Sequence, residues 1–305
     1  MSSLEGILAV HKPAGFTSHD VVAKARGILQ MKRIGHTGTL DPQVTGVLPL
    51  CLGRATRMVE YLQELPKEYH ATVRLGMSSD TEDATGQIIE QVDNVHVTRE
   101  QIEEVIASFV GVIQQVPPMF SALKVNGKRL YELAREGKSV ERKSREVTIH
   151  EIEITSCELD QPHPEISFRV LCSKGTYIRT LCVDIGRKLM VPSLMVKLER
   201  TISSGITADK CLTFEQMEAY MKDGTLATHL IPVDEAVQHL PAHTVADEKR
   251  AAALQGQRLS YSVVHPPVVS GESIRLYDSE GIFLGIFKKQ EDTGAIAPVK
   301  VFLQN

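Results

Sequence analysis

Asp41 is the side chain in this sequence best suited to covalent chemistry, because a short glycine-rich loop carries it. Pro42 disfavours helical backbone at Asp41 and favours an extended or turn geometry there. Gly35, Gly38 and Gly46 let the surrounding backbone bend sharply and approach a ligand closely. An apolar segment follows, so we expect the loop to be held against a buried strand. A carboxylate that is fixed, reachable and partly desolvated can act as a nucleophile, although a turn aspartate that bonds its own backbone fits the same pattern.

Regular hydrophobic patterns predict the elements that position this loop. Alternation of apolar and polar residues is typical of half-buried strands, whereas apolar residues three and four apart indicate helices. The predicted strands span residues 6–11, 69–76 and 166–172. The predicted helices span residues 20–29, with Ser18 as a candidate N-cap, and the segments after Thr98, Gly175 and Thr213, of which the first and last begin with capping boxes. Strands and helices interspersed around one main sheet predict a mixed α+β fold.

A change in composition near residues 231–241 predicts a boundary between two domains. Beyond it the pattern predicts strands at 273–277 and 281–287 around a turn at 278–281, and a closing strand at 299–303. We therefore expect one large domain over residues 1–232 and a small β-rich domain over residues 240–305. A module of that size is marginally stable alone and is expected to lean on its neighbour.

Composition excludes several classes of protein. The chain has 305 residues, of which 42% are hydrophobic and 24% charged, as in ordinary globular proteins. No apolar run is long enough to span a bilayer, and no secretory signal precedes the first predicted strand. The five cysteines, at positions 51, 157, 172, 182 and 211, include no Cys-x-x-Cys pair. We expect reduced thiols and a cytoplasmic location, with neither a disulfide framework nor a zinc site.

The charge distribution favours a nucleic-acid partner only locally. The formal net charge is −4, which by itself disfavours a phosphate backbone as partner. Between residues 117 and 147, however, eight basic residues outnumber four acidic ones, a local excess of four positive charges. The basic residues are Lys124, Lys128, Arg129, Arg135, Lys138, Arg142, Lys143 and Arg145. This segment predicts either a phosphate-binding surface or a solvated surface of mixed charge.

The residues around Asp41 resemble the signature of a known enzyme family. The sequence Gly-His-Thr-Gly-Thr-Leu-Asp-Pro-x-x-Thr-Gly-x-Leu-Pro, from Gly35 to Pro49, is similar to the motif of the TruB-type pseudouridine synthases, which modify the T-loop of tRNA. Further blocks occur in the family's order and approximate spacing over residues 1 to about 200: Lys12-Pro13-x-Gly15-x-Thr17-Ser18, Lys67-x-Tyr69, Leu75-Gly76, Asp80-x-x-Asp83-x-x-Gly86, Pro117-Pro118-x-x-Ser121-Ala122-Leu123-Lys124 and Ser173-Lys174-Gly175-Thr176-Tyr177-Ile178-Arg179-Thr180-Leu181. A match of this extent does not arise by chance.

The resemblance implies a fold, a reaction and a partner. The implied fold is a mixed, mainly antiparallel central sheet with flanking helices, a basic RNA-binding insertion at about 117–146, and a small β-rich C-terminal module of PUA-like type. The implied reaction converts the uridine at position 55 of tRNA to pseudouridine. It breaks a C–N glycosidic bond and forms a C–C bond to the same base without change of oxidation state, so no cofactor and no metal are expected. The expected partner is the T stem-loop of tRNA. The protein is expected to act as a monomer, with no membrane as partner.

The resemblance also implies roles at the reacting centre. Asp41 is the expected nucleophile, and attack at ribose C1′, attack at base C6 and elimination toward a glycal all remain open. Arg179 is expected to orient the Asp41 carboxylate through two parallel hydrogen bonds, although an arginine on the exposed side of a helix is the alternative. The Tyr69 ring can stack on an extruded uracil, worth about 1–3 kcal/mol, and its hydroxyl can take part in proton transfer; the alternative is a core tyrosine.

Five further residues are expected to bind the substrate. Tyr177 and Leu198 are carried over as walls of the nucleotide pocket. His36 is expected to fill the gap left by the flipped base or to contact a phosphate. Lys12 and Lys124 are candidates for contacts with the RNA backbone, although surface lysines are more often only solvated. Because a loop uridine is stacked, the enzyme must extrude it, at a cost on the order of a few kcal/mol.

Two other functions remain open at this stage. The acidic run at residues 80–83, together with Asp41, is compatible with a two-carboxylate glycosidase that releases free uracil. The same run faintly resembles a calcium loop, but Ala84 and Gln91 stand where that loop needs oxygen ligands. A non-catalytic RNA-binding or tRNA-folding factor is the second alternative, and it predicts that replacing Asp41 by asparagine leaves function intact.

Overall fold

The structure, a computed structural model, describes residues 4–125 and 127–302. Its strands are β1 Gly6–Lys12, β2 Ile34–His36, β3 Thr45–Leu52, β4 Lys67–Leu75, β5 Met77–Ser79, β6 Ile88–Gln91, β7 Gly111–Gln115, β8 Lys124–Val125, β9 Lys128–Arg129, β10 Arg145–Glu158, β11 Glu165–Cys172, β12 Ser193–Ser203, β13 Ile206–Thr207, β14 Ala242–Val245, β15 Val264–His265, β16 Ser273–Tyr277, β17 Phe283–Lys289 and β18 Ile296–Val301. Its α-helices are α1 Ser18–Leu29, α2 Val59–Glu64, α3 Arg99–Ala107, α4 Leu130–Arg135, α5 Ile178–Lys188, α6 Phe214–Asp223 and α7 Arg250–Leu254.

Nine strands form the central sheet of the described residues. They lie in the order β1-β3-β12-β4-β11-β10-β7, with β2 beside β3 and β13 beside β12. Neighbours along this order are antiparallel except β3 and β12, which are parallel, with Thr45 opposite Glu199 and Gly46 opposite Arg200. Because the Asp41 loop immediately precedes β3, this parallel pairing brings the loop against β12.

Helices pack on the central sheet against the apolar residues that alternate along its strands. Helices α3 and α5 pack on β4, β10 and β11 through a core that includes Phe168 and Ile185. Helices α1 and α6 pack on β1 and β3 through residues such as Leu50 and Met217. The opposite face of β1 and β3 is also buried, by α2 and by C-terminal side chains such as Ile286. Strands β1 and β3 are therefore apolar at nearly every position.

A second sheet, in the order β15-β14-β16-β17-β18, forms the C-terminal part. It has its own apolar core and docks on the central sheet through polar contacts as well as through Ile286. The Tyr277 hydroxyl of β16 donates to Asp234 Oδ2 at 3.1 Å, and Lys300 of β18 pairs with Glu60 of α2 at 2.7 Å. The small sheet thus leans on its larger neighbour, as its size requires.

These elements confirm the predicted mixed α+β fold with a β-rich C-terminal part. The helix predicted at 20–29 begins earlier, at Ser18, and its N-cap is Thr17, which forms a capping box with Asp20. Ser18 is therefore not the cap. No helix within the described ranges is long and apolar enough to cross a bilayer.

The C-terminal hairpin differs in detail from its prediction. Strand β17 begins at Phe283 because the Asp278 carboxylate accepts the backbone N–H groups of Glu280 and Ile282, which lengthens the turn. The closing strand predicted at 299–303 is β18, which starts at residue 296 and ends at residue 301. Leu303, the last residue of that prediction, lies outside the described residues.

Candidate active site

Lys12 fixes the backbone on the C-terminal side of Asp41. Its side chain is fully buried, and its Nζ donates to the carbonyl oxygens of Pro42 at 2.9 Å and Val44 at 2.6 Å. Burial lowers the pKa of Lys12 to about 8, and the nearby Asp41 carboxylate acts in the opposite direction. The expected contact between Lys12 and an RNA phosphate is wrong, because a buried ammonium already bonded to backbone cannot reach solvent. Lys12 instead supports the loop from beneath.

We expect Lys12→Met to destabilise the fold rather than to weaken RNA binding directly. Methionine leaves the Pro42 and Val44 carbonyls without their donor, and each unsatisfied buried polar group costs about 1–3 kcal/mol. The free energy of unfolding, measured by urea denaturation, should fall by about 2–4 kcal/mol. A variant with unchanged stability but clearly weaker affinity for RNA would contradict this assignment.

Two further contacts fix the loop on the N-terminal side of Asp41. The Leu40 N–H donates to the Ser18 hydroxyl at 2.9 Å, so the residue expected as a helix cap holds the Asp41 loop instead. The Nη2 of Arg200, from β12, donates to the Gly38 carbonyl at 3.2 Å. The backbone is therefore bonded on both sides of Asp41, while the Asp41 side chain remains 43% exposed.

Arg179 lies in the first turn of α5 and forms an ion pair with Asp41. The distance between Arg179 Nε and Asp41 Oδ2 is 2.9 Å, and the Arg179 side chain is only 5% exposed. The other two nitrogens donate to backbone, Nη1 to the Thr81 carbonyl at 3.1 Å and Nη2 to the Phe120 carbonyl at 2.8 Å. The pair is thus made through Nε, and the expected arrangement of two parallel hydrogen bonds is wrong. The Arg179 guanidinium thus binds three loops, those that carry Asp41, Thr81 and Phe120.

A buried amide places the start of helix α5. Tyr177 is the N-cap residue but its side chain does not cap the helix. The Tyr177 N–H donates to Gln115 Oε1 at 2.8 Å, and Gln115 Nε2 donates to the Tyr177 carbonyl at 2.9 Å. The Arg145 guanidinium lies 4.6 Å from the centre of the Tyr177 ring and covers one of its faces. Gln115 therefore positions both the expected pocket wall and, two residues later, Arg179.

Tyr69 and Leu198 lie on the same face of the central sheet. In the pairing of β4 with β12, Tyr69 is opposite Arg200 and Ala71 is opposite Leu198. Both side chains are half-buried. Burial raises the pKa of the Tyr69 hydroxyl, while the positive charge of Arg200 lowers it. The structure thus places Tyr69, Leu198 and the Asp41 loop around β12.

His36 is half-buried at the end of β2. Its Nδ1 accepts the Gly38 N–H at 3.2 Å, which leaves the ring proton on Nε2. Burial lowers the pKa of His36, and the charges of His19 and Arg200 act in the same direction. A neutral imidazole suits the expected filling of a vacated base position better than an ion pair with phosphate.

The basic insertion, residues 117–146, contains the β8–β9 hairpin and α4. Lys124 is exposed on β8, whereas Lys138 is paired with Glu136 at 2.6 Å. The arginines of this segment have partners within the protein: Arg129 and Arg135 over the Tyr131 ring, Arg142 on the Pro117 carbonyl and Arg145 on the Tyr177 ring. Lys124 is therefore the position at which phosphate binding is easiest to test.

The acidic run at residues 80–83 shapes its own loop. Asp83 Oδ1 accepts bonds from the Thr81 hydroxyl at 2.8 Å and the Thr85 N–H at 2.9 Å, and Asp80 Oδ1 accepts the Gln87 N–H at 2.8 Å. These contacts give no support to a second glycosidase carboxylate. Within the described ranges, no group of three or more His, Cys, Asp and Glu side chains could hold a metal ion.

Glu82, in the same loop, contacts helix α5. Its Oε2 accepts a hydrogen bond at 2.8 Å from the hydroxyl of Thr180, the residue that directly follows Arg179 in the chain. Burial raises the pKa of Glu82, while the Thr180 hydrogen bond and the Arg179 charge lower it. The Met195 N–H donates to the Glu82 carbonyl at 3.1 Å. The loop is thereby attached to both α5 and β12.

Sequence reasoning missed Arg200 and Gln115 as parts of this site, and it considered Glu82 only as a possible glycosidase carboxylate. Arg200 is two residues beyond Leu198, so alternation along a strand would have placed both on one face. The sequence contains no comparable signal for Gln115, because its partner is a backbone group 62 residues away.

Family models match nearly the whole chain. The model for the TruB family pseudouridylate synthase N-terminal domain matches residues 26–178. A tRNA pseudouridylate synthase B C-terminal domain matches residues 179–238, and a C-terminal domain of pseudouridine synthase II TruB matches residues 241–302.

Individual proteins agree with these models. The chain is 46% identical over 303 residues to tRNA pseudouridine synthase B of Bacillus licheniformis, with 98% of both chains covered. It is 44% identical over 305 residues to that of Bacillus subtilis, with 99% of this chain and 98% of the relative covered.

Two solved structures share the fold. A Cbf5–Nop10–Gar1 complex gives a TM-score of 0.76 at 29% identity over 98% of this chain and 85% of the other. An H/ACA RNP bound to a substrate RNA containing 2′-deoxyuridine gives a TM-score of 0.75 at 27% sequence identity, with 99% of this chain and 86% of the other covered. With the Asp41–Arg179 pair in place and all these comparisons in agreement, the chain belongs to the TruB family of pseudouridylate synthases.

Proposed function

We propose that this protein is a tRNA pseudouridine-55 synthase, which isomerises that T-loop uridine through the Asp41 carboxylate. The observation that carries the proposal is the ion pair between Asp41 and the buried Arg179, with 2.9 Å between Oδ2 and Nε. A nucleophile must be both reachable and held in one direction, and this carboxylate is half-exposed on a loop bonded to the protein on both sides. The relatives named tRNA pseudouridine synthase B support tRNA as the substrate.

Four residues take part in the proposed reaction. Asp41 presents a negative oxygen to the bond between the sugar and the base, and Arg179 keeps that oxygen aimed. Tyr69 and Leu198, on the sheet face beside the loop, hold the pyrimidine while it detaches from N1 and rejoins the sugar through C5. The only atom lost from the base is the hydrogen at C5, which is replaced by a hydrogen at N1.

Access to the uridine requires its extrusion from the stacked loop. Unstacking costs on the order of a few kcal/mol, which contacts between the protein and RNA phosphates can offset. The basic insertion at residues 117–146 supplies exposed lysines for such contacts. A neutral His36, beside the Asp41 loop, suits the space that the extruded base leaves. Recognition should depend mainly on the shape of the loop.

The decisive experiment uses unmodified tRNA made with uridine tritiated at C5. Isomerisation releases one tritium from the modified uridine, and chemical mapping then places pseudouridine at position 55. A glycosidase would release free uracil and leave an abasic site, and a non-catalytic RNA-binding factor would release neither. A tRNA with cytidine at position 55 is the matched control and should release no tritium. Failure of the wild-type protein to release tritium from the uridine substrate would end the proposal.

We expect Lys124→Gln to weaken tRNA binding several-fold and to reduce its salt dependence. The lysine is exposed on the insertion, and loss of one phosphate contact should lower the slope of log affinity against log salt by about 0.7–0.9. Filter binding from low to moderate salt measures both quantities. Lys138→Gln is the matched control. Because Lys138 is already paired with Glu136, this variant should change the salt slope less. Equal effects of the two variants would argue against a phosphate contact at Lys124.

We further propose the assembly in which this activity works. Residues 1–232 form the catalytic domain and residues 240–305 a PUA-like RNA-binding domain, which agrees with family models that end at 238 and resume at 241. The protein acts as a cytoplasmic monomer without metal or cofactor, and all groups assigned to the site come from one chain. Light scattering with and without tRNA checks the monomer, and activity in the presence of a chelator checks metal independence.

A further inference from the structure

The basic insertion leaves the central sheet at the end of β7 and returns to it at the start of β10. The residues at these two points, Gln115 and Arg145, are directly opposite each other in the antiparallel pairing of the strands. Opposite residues of such a pair have their side chains on the same face of the sheet. Gln115 is fully buried on that face and Arg145 is half-buried. The base of the insertion therefore presents an amide and a guanidinium side by side.

Both side chains hold Tyr177, the residue that precedes α5. Gln115 binds the Tyr177 backbone through its N–H and its carbonyl. The Arg145 guanidinium lies over the Tyr177 ring, 4.6 Å from its centre, and Nη2 donates to the carbonyl of Gly175. Within the described part of the chain, the Nε of Arg145 is buried and has no hydrogen-bond acceptor. The electron-rich face of the ring therefore takes the place of an acceptor for this cation.

The backbone before Tyr177 is suited to this contact. Gly175 has φ of +82°, and a Cβ there would lie 3.4 Å from the Arg145 Cζ. Another residue would strain the backbone and crowd the guanidinium. Arg145 thus occupies a fitted site between Gly175 and the Tyr177 ring, which distinguishes it from the exposed lysines of the insertion.

We propose that Arg145 is a positioning residue that clamps the Tyr177 ring, so that the remaining face of the ring receives the extruded pyrimidine. This inference rests on the proposed function and on the expected role of Tyr177 as a wall of the nucleotide pocket. A planar guanidinium on one face of a ring immobilises it and leaves the other face for stacking on a base. Because Tyr177 is two residues before Arg179, the clamp also keeps this wall in register with the group that orients Asp41.

A positioning role and a phosphate contact predict opposite results for Arg145→Gln. For positioning, we expect the single-turnover rate at saturating tRNA to fall by about 10- to 30-fold. The Kd should change by less than about threefold, because affinity comes mainly from phosphate contacts elsewhere, and the slope of log affinity against log salt should stay the same. A normal rate at saturation, with weaker binding and a slope lowered by about 0.7–0.9, would identify a phosphate contact and overturn the inference.

A double-mutant cycle tests whether the effect passes through the ring. Tyr177→Leu removes the ring, so adding Arg145→Gln to that variant should slow the reaction by less than about threefold further. Independent, multiplicative losses would overturn the inference. Arg99→Gln is the matched control: Arg99 is on α3, is 61% exposed and pairs with Glu103 at 2.7 Å, so this variant should retain the wild-type rate.

If Arg145→Gln does not fold, Tyr177→Trp tests the clamp with Arg145 intact. The chain contains no tryptophan, so the introduced indole is the only one. A clamped ring should lose fluorescence anisotropy only as fast as the whole protein tumbles, and fast local rotation of the indole would refute the clamp. Full activity of Asp41→Asn would refute the proposed function, whereas Asp41-dependent activity with a full-rate Arg145→Gln would refute only the role of Arg145.

Discussion

Replacing Asp41 by asparagine is expected to lower the single-turnover rate of pseudouridine formation at least about 10⁴-fold. Asparagine keeps the shape of the side chain but has no anionic oxygen to present to the sugar–base bond. The variant should still bind tRNA within a few-fold of wild type, because affinity comes mainly from phosphate contacts elsewhere. Tritium release from C5-labelled tRNA at saturating enzyme measures the rate, and filter binding measures the affinity.

The matched control for this variant is Asp160→Asn. Asp160 is exposed in the connection between β10 and β11, so its replacement removes one negative charge without touching the site. It should retain the wild-type rate. A non-catalytic tRNA-folding factor predicts that Asp41→Asn and Asp160→Asn behave alike, and that result would exclude Asp41 as the nucleophile.

Local patterns were sufficient for much of the fold. The alternation that predicted a strand at 69–76 corresponds to β4, and the alternation at 166–172 corresponds to β11. The capping boxes at Thr98 and Thr213 are both formed. Each of these signals depends on contacts within one element or with its immediate neighbours, so sequence spacing alone encodes it.

The parallel pairing of β3 with β12 could not be predicted in this way, and it explains Gly46. A Cβ at Gly46 would lie 2.2 Å from the Arg200 carbonyl oxygen, and the residue has φ of +107°. The sequence indicated only a flexible glycine near a catalytic loop. The real constraint is the close approach of a strand more than 150 residues away in the chain, for which no local spacing carries information.

Buried cations were the other limit of sequence reasoning. Lysine and arginine are mostly exposed unless they are paired, so Lys12 was expected at the surface and Arg200 was not considered. Both satisfy their donors with backbone carbonyls of the loop that carries Asp41. The carbonyls become available only after that loop has folded, so the residue types alone could not reveal these contacts.

Arg179→Lys is expected to lower the single-turnover rate by about 10³-fold while the protein remains folded. The guanidinium contacts Asp41, Thr81 and Phe120 at once. A lysine ammonium is a compact point charge that cannot reach three acceptors in one plane, so either Asp41 loses its fixed orientation or the two carbonyls lose their donor. The measurement is tritium release at saturating tRNA, together with Tm from circular dichroism.

Arg187→Lys is the matched control for the Arg179→Lys variant. Arg187 is on the same helix, is 71% exposed and pairs with Asp184 at 2.9 Å, so the chemical change is identical but the site is solvated. Exposed pairs of this kind contribute about 0–1 kcal/mol, and the variant should match wild type in rate and Tm. A slow Arg179→Lys with a normal Tm, beside a fast Arg187→Lys, would locate the loss in the orientation of Asp41. Near-normal turnover of Arg179→Lys on unmodified tRNA would instead show that the Asp41–Arg179 pair is dispensable for the reaction.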